Sequence, residues 1–403
     1  MRIVKIGEVF KTSSGLTPLS TNDDFYKNGN INWLTSGEVS QYKISSTKNH
    51  ITDFALQKTS LKIVPKNSVV VAMYGATVGE IGILNTPTTT NQAVCSIFPN
   101  NDNNSFYLYY QLLFQKNNLI NLASGSARTN ISQKIIKDFE INLPDLETQT
   151  KIASVLSALD DKIELNNRIN AQLEQLARTL YDYWFVQFDF PNGEGKPYRA
   201  SGGKMKFSPE LNREIPEGWE VKKLGELLNI KTEASEPDKS KKCIDLSVMP
   251  NSNIAIQGFS AGDAFSSNMK KMEKYDILFG SIRPYLKKAG IAPFDGLRAG
   301  TVHAFTPKKK EFYNFCAITM TSEFFFEYAI GRSAGSTRMP SISSKNLMEY
   351  KVAINDEVIA KFQNTLPFFA KTISRNIIEN QKLAELRDWL LPLLMSGQVQ
   401  IKN

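Results

Sequence analysis

Histidine and cysteine are nearly missing from this chain: two of the first and three of the second among 403 residues. His50 and His303 stand alone, with no Cys or carboxylate at metal-ligand spacing, so neither a metal centre nor an imidazole relay is expected. Cys95, Cys243 and Cys316 lie far apart and are odd in number, and read as reduced core thiols rather than a disulfide frame. No apolar run approaches the roughly 18 residues needed to span a bilayer. The opening MRIVKIGEVF carries no apolar signal core. These absences lead to the expectation of a cytoplasmic protein without membrane contact. The 41% apolar content is ordinary for a globular chain, and the length suffices for two or three cores.

Catalytic motifs are equally scarce. There is no Gly-x-x-x-x-Gly-Lys-Ser/Thr phosphate loop, no glycine-rich AdoMet loop and no Asn/Asp-Pro-Pro-Tyr. Pro144-Asp145 followed distantly by Glu194-Gly195-Lys196 loosely imitates a metal-dependent nuclease signature. A long helical pattern separates its parts, and Asp145 reads better as a helix cap. The chain is therefore expected to be non-catalytic.

What the sequence does hold is a repeat. GSARTNIS, Gly125 to Ser132, returns as GSTRMPSIS, Gly335 to Ser343, with the two glycines 210 residues apart. Each loop is followed by a short strand-like run, FEINLP (Phe139 to Pro144) or YKVAIN (Tyr350 to Asn355), and then by a long helical pattern. Ahead of the loops, VKIGEVF (Val4 to Phe10) resembles VKKLGELL (Val221 to Leu228), and each half carries strand, glycine-marked turn and strand. The reading is α+β: two tandem α+β globules, each ending in a long helix, with an internal pseudo-twofold repeat.

Along the first helix, apolar or special residues step by four and three from Ile152 to Trp184. Adding 210 gives the same characters from Phe362 to Leu394, broken at Ala177 against Arg387. That alternation is a coiled-coil seam, a rod of roughly 50 Å. Each seam carries two asparagines, Asn166 and Asn170 in the first helix, Asn376 and Asn380 in the second. These asparagines would meet in either parallel or antiparallel pairing; antiparallel pairing sets Asn166 against Asn380, Asn170 against Asn376, and Trp184 against Phe362, and the alternative is that each helix packs only on its own globule.

The net charge of +8 favours a polyanionic partner, and residues 267 to 310 alone hold ten Lys or Arg against three acids. Loops of the first globule offer Tyr74, Thr77, Asn91, Gln92, Arg128 and Asn130; the second offers Arg283, Tyr285, Lys287, Lys288, Arg298 and Arg338. Arg forks onto guanine and Asn or Gln onto adenine, while Lys mostly holds phosphate. As a mirrored set on two globules these twelve suit duplex DNA, whose strands are related by a dyad. A standalone nuclease and a basic coiled-coil adaptor remain as alternatives.

Particular segments resemble the specificity subunit of type I restriction-modification systems. These are Leu143 to Ile152 (LPDLETQTKI), Phe188-Asp-Phe-Pro191, Gly195-Lys-Pro197, Ser201-Gly-Gly203, Ile215 to Val221 (IPEGWEV) and Leu383 to Gly397 (LAELRDWLLPLLMSG). The resemblance implies target recognition domains at 1–145 and 219–355. It implies spacer helices at 146–186 and 356–397, the second with a C-terminal tail, and a linker at 187–218. Each domain would read one half of a split DNA site, and the antiparallel helices would set the gap. It further implies two modification subunits, which carry AdoMet and methylate adenine, and restriction subunits using ATP, so that AdoMet, ATP and Mg belong to partners and no cofactor to this chain. One departure is the start of the second helix, Ile354-Asn-Asp-Glu-Val in place of Pro-Asp-Leu-Glu-Thr-Gln.

Overall fold

The structure is a computed structural model, and it describes residues 2–123, 130–256, 258–265, 268–335 and 338–401. The chain divides into two compact units, 1–162 with 383–403, and 163–382. Among the described residues no helix is long and apolar enough to cross a membrane.

The first unit is built on a five-stranded sheet in the order Thr12–Ser14, Val94–Ile97, Val69–Ala72, Ile81–Leu84, Lys43–Ile44. Its central strand reads VVVA and is buried on both faces, which is why it lacks polar alternation. The aromatic helix Ser105–Phe114 packs on it, with Tyr107 and Tyr110 fully enclosed. A small sheet of Asn49–Ile51, Ile31–Leu34 and Thr89–Thr90 is added alongside. Arg2–Lys5 pairs antiparallel with Glu140–Leu143, closing the unit just before the long helix.

The second unit repeats this closure: Glu220–Lys223 pairs antiparallel with Lys351–Ile354. In both, the first strand runs into a one-turn helix whose third residue reaches back to a backbone N–H. Lys5 N donates to Glu8 at 3.2 Å, and Lys223 N to Glu226 at 2.9 Å. The main sheet orders Leu228–Lys231, Val302–Pro307, Ile277–Gly280, Ala289–Ile291, beside a five-stranded sheet. Within the linker, Met205–Ser208 and Arg213–Pro216 form a hairpin.

The first long helix runs Leu146–Tyr181 and ends in a π-turn, Asp182–Val186. Asp145 caps it, accepting from Thr148 N at 2.8 Å; this backbone bond, helped by the Thr148 hydroxyl, holds the Asp145 carboxyl below its usual range. The expected unbroken second helix is corrected: it is two helices, Asp356–Thr365 and Phe369–Met395. Pro367 lies in the break; its ring removes a backbone donor and disfavours helical geometry at Leu366, which sits at φ −125°, ψ 54°.

In the second unit the two helices meet antiparallel through their asparagines. Asn166 Nδ2 donates to Asn380 Oδ1 at 2.9 Å, Asn376 Nδ2 to Asn170 Oδ1 at 2.9 Å, and Asn380 Nδ2 to Asn167 Oδ1 at 2.8 Å. Trp184 packs on Phe362 with ring centroids 5.7 Å apart. In the first unit, Leu391, Leu394 and Met395 complete the core against Ile152 and Leu156. There Arg387, which breaks the repeat, donates from Nη1 to the buried Asp160 at 2.6 Å. Asp160 also accepts from the Tyr110 hydroxyl at 2.6 Å, and burial together with this carboxylate drives the Tyr110 phenol far above its ordinary pKa. Asp160 thus ties both helices to the globule.

Removing one partner of such a buried pair strands the other. Asp160→Ala is expected to cost about 3–5 kcal/mol, read as a lower guanidinium midpoint for the first unit. The adjacent, half-exposed Asp161, ion-paired with Lys43, should cost at most about 1 kcal/mol when changed to Ala.

Candidate nucleic-acid interface

The repeated loops do the same thing in both units: their final residues pair with the turn that leaves the central strand. In the first unit Ile131 N donates to Met73 O at 2.9 Å, and Asn130 bridges Tyr74. In the second, Ile342 N donates to Ser281 O at 2.9 Å, Ser341 bridges Ile282, and Arg283 N donates to Pro340 O at 2.8 Å. Ile131 and Ile342 are buried, so each loop is anchored at its end. Backbone pairs therefore hold the scaffold, and the side chains between them are free to differ.

What the first turn presents is Tyr74, 38% exposed, followed by Gly75 at φ +81° and the turn Gly75–Thr77. Thr77 donates to Ser36 O at 2.9 Å and so positions the turn rather than projecting from it. Asn130 Oδ1, beside Tyr74, is buried and has no hydrogen-bond partner among the described residues. Asn91 serves its own turn, accepting from Ala93 N at 3.1 Å and donating its N–H to Leu34 O at 2.9 Å. Gln92 is exposed and accepts from the Thr17 hydroxyl. Arg128 lies outside the described residues.

The second turn is more basic. Arg283 and Lys287 both take left-handed backbone, φ +51° and +53°, on either side of Pro284–Leu286. Holding two non-glycine residues there is strained and fixes the direction of their side chains. Arg283 Nε donates to Arg338 O at 3.3 Å, and Tyr285 is 47% exposed. Arg283, Tyr285 and the exposed Arg338 thus share one surface. Lys287 is ion-paired with Glu323.

Two expected contacts are corrected. Arg298 is 1% exposed; its guanidinium donates to Val302 O and to Lys231 O at 2.6 Å, and burial pushes its pKa down to about 10. It braces strands and does not stand on the surface. Lys288 donates inward to Leu246 O and to Met249 O at 2.9 Å, so its ammonium holds the fold. Both sit in β-rich sequence where inward and outward positions alternate, and neither charge betrays its side. Conversely His303, set aside as isolated, donates from Nε2 to Ile342 O at 2.9 Å and anchors the repeated loop.

Burial holds the His303 imidazole below its ordinary pKa. The folded value therefore lies under the unfolded one near about 6.5, and protonation favours unfolding. Its contribution is complete above that value and is lost as pH falls through it towards the folded one. The melting-temperature advantage of the wild-type chain over His303→Gln should shrink as pH is lowered from about 8 to about 5.

Residues 1–175 match the type I restriction modification DNA specificity domain. The whole chain aligns at 29% identity with 94% of the type I restriction enzyme MjaIX specificity subunit of Methanocaldococcus jannaschii. Another relative, the HindI specificity subunit of Haemophilus influenzae, is 25% identical over 66% of this chain and 70% of its own length. In fold, the chain is similar to the crystal structure of a type I restriction-modification S subunit from M. genitalium, with TM-score 0.60 and 19% identity over 98% of this chain and 96% of that one. The repeated loop and turn are present in both units, and along its whole length the chain is similar to type I restriction-modification specificity subunits.

Proposed function

We propose that this chain is the DNA-recognition subunit of a type I restriction-modification complex. Each unit reads one half of a bipartite duplex sequence, and the antiparallel helices set the length of the unread spacer. The observation that carries this reading is the shared backbone anchoring of the two loops beneath different side chains. Tyr74 and Asn130 top one scaffold; Arg283, Tyr285 and Arg338 top the other. Equivalent scaffolds with unequal chemistry suit two different half-sites. Arginine can fork onto guanine, an amide onto adenine, and the tyrosines can pack on sugar or base.

The same reading assigns the chemistry to partners. Two modification subunits would bring AdoMet and methylate adenine, restriction subunits would bring ATP- and Mg-dependent cleavage, and this chain would bind no cofactor and catalyse nothing. The chain's +8 charge supports association with a polyanion. Cytoplasmic work on chromosomal DNA follows from the same assignment.

Replacing residues 1–145 by the corresponding segment of a relative should change one half of the methylated sequence, mapped by adenine methylation in cells, and leave the other half intact. A chimera that alters both halves or neither sinks the assignment. Arg283→Ala should relax one base position in the second half-site, at a cost of about 1–3 kcal/mol in discrimination. The first half-site should be unaffected. Sequence-specific cleavage of duplex DNA by the purified chain with Mg²⁺ alone would instead favour a standalone nuclease.

A further inference from the structure

Beside Gln92 the first unit holds a cleft of about 500 Å³. Trp33, in the middle strand Ile31–Leu34 of the small sheet, lines it. Trp33 faces Thr89 on one edge and Asn49 on the other. Thr89–Thr90 leads directly into Asn91 and Gln92, and Thr17, in the cleft wall, donates to Gln92 Oε1. The cleft wall is thus tied through Thr17 to the exposed Gln92.

The cleft is built, and its walls depend on close backbone approach. A Cβ on Gly15 would fall 1.8 Å from Thr90 O, and one on Gly29 2.7 Å from the Ile51 carbonyl carbon. The Trp33 indole donates to Leu16 O at 3.2 Å and the Tyr26 hydroxyl to Pro18 O at 2.6 Å, which pins the segment 16–18 as a wall. Those aromatic donors are therefore used within the fold.

The groups at the mouth are not. The side chains of Asn28, Lys48, Asn49 and His50 have no hydrogen-bond or ion-pair partner among the described residues. No carboxylate lines the cleft. The nearby Glu38 is 7% exposed and accepts from Lys48 N at 2.7 Å and Thr35 Oγ1 at 3.0 Å, so its charge is held inside. A cleft in the second unit differs in this respect. Its Lys231 and Lys271 are ion-paired with Glu273 and Glu233.

One unpaired ammonium beside free amides, with no opposing acid, matches a nucleic-acid strand: lysine as a point charge on phosphate, amides on base edges. We propose that this cleft is a second DNA contact of the first unit, holding one strand's backbone on Lys48 and an adjacent base edge on Asn49. The proposal rests on the reading of that unit as a DNA-recognition domain. In the sequence the mouth of the cleft is marked only by TKNHI, a polar run ahead of Ile51.

The test measures salt-dependent binding of a duplex carrying the cognate site to the assembled complex. Lys48→Ala should reduce the slope of log K against log salt by about one, equally on cognate and unrelated duplexes. Asn49→Ala should keep the slope and relax one base position of the first half-site roughly ten-fold or more. Lys58→Ala serves as the control, since Lys58 lies outside the cleft, over the Phe54 ring, and should leave the slope unchanged. An unchanged slope in Lys48→Ala, or an equal loss in Lys58→Ala, overturns the phosphate contact. An unchanged base preference in Asn49→Ala overturns the base contact. Failure of the wild-type complex to select any duplex sequence sinks the parent reading, an outcome visible before any variant is made.

Discussion

An amide buried in an apolar helix seam must find a partner, and the rest of this structure depends on that requirement. Asn170 and Asn376 are 4% and 1% exposed, and the Asn376 Nδ2 donates to Asn170 Oδ1 at 2.9 Å across the seam. Sliding either helix by one residue would leave two desolvated amides unpaired, at about 1–3 kcal/mol each. Leucine at these positions would tolerate the slip; asparagine does not. The polar layer therefore exchanges some stability for a single register.

The first unit solves the same problem with different chemistry. Asp160, Arg387 and the Tyr110 hydroxyl form a buried triad joining helix, helix and globule. The second unit adds a counterpart on the first helix. Glu174 accepts from Ile254 N at 2.9 Å and pairs with Arg178, whose guanidinium donates to Thr321 O at 2.6 Å. In each unit a buried carboxylate on the same helix fixes the globule to it. The repeat is thus kept in architecture while its polar ties are individual.

The anchoring of the loops follows a similar logic. Backbone hydrogen bonds at Ile131 and Ile342 hold the loop ends whatever side chains stand between. Tyr74, Arg283 and Arg338 can therefore be exchanged without loss of the scaffold, whereas Ile342 rests on His303 and cannot move freely.

The sequence by itself determined the repeat and a helix seam with two asparagines on each side; the direction of the pairing and the partner of each asparagine came from the fold. Periodicity and spacing are local, and a polar residue in a heptad announces its need for a partner. It also determined Asp145 as a cap, since capping involves only neighbouring residues. Only the tertiary structure decided which charges face outward. Arg298 and Lys288 are as basic as Arg283, yet carbonyls from distant strands claim the first two. It also decided that the second helix yields at Pro367, and that Thr17, Lys48 and Asn49 meet around one cleft. The physical reason is the same in each case. A charge, a proline or a loop amide takes its role from what the fold brings against it, and those partners lie tens of residues away in the chain.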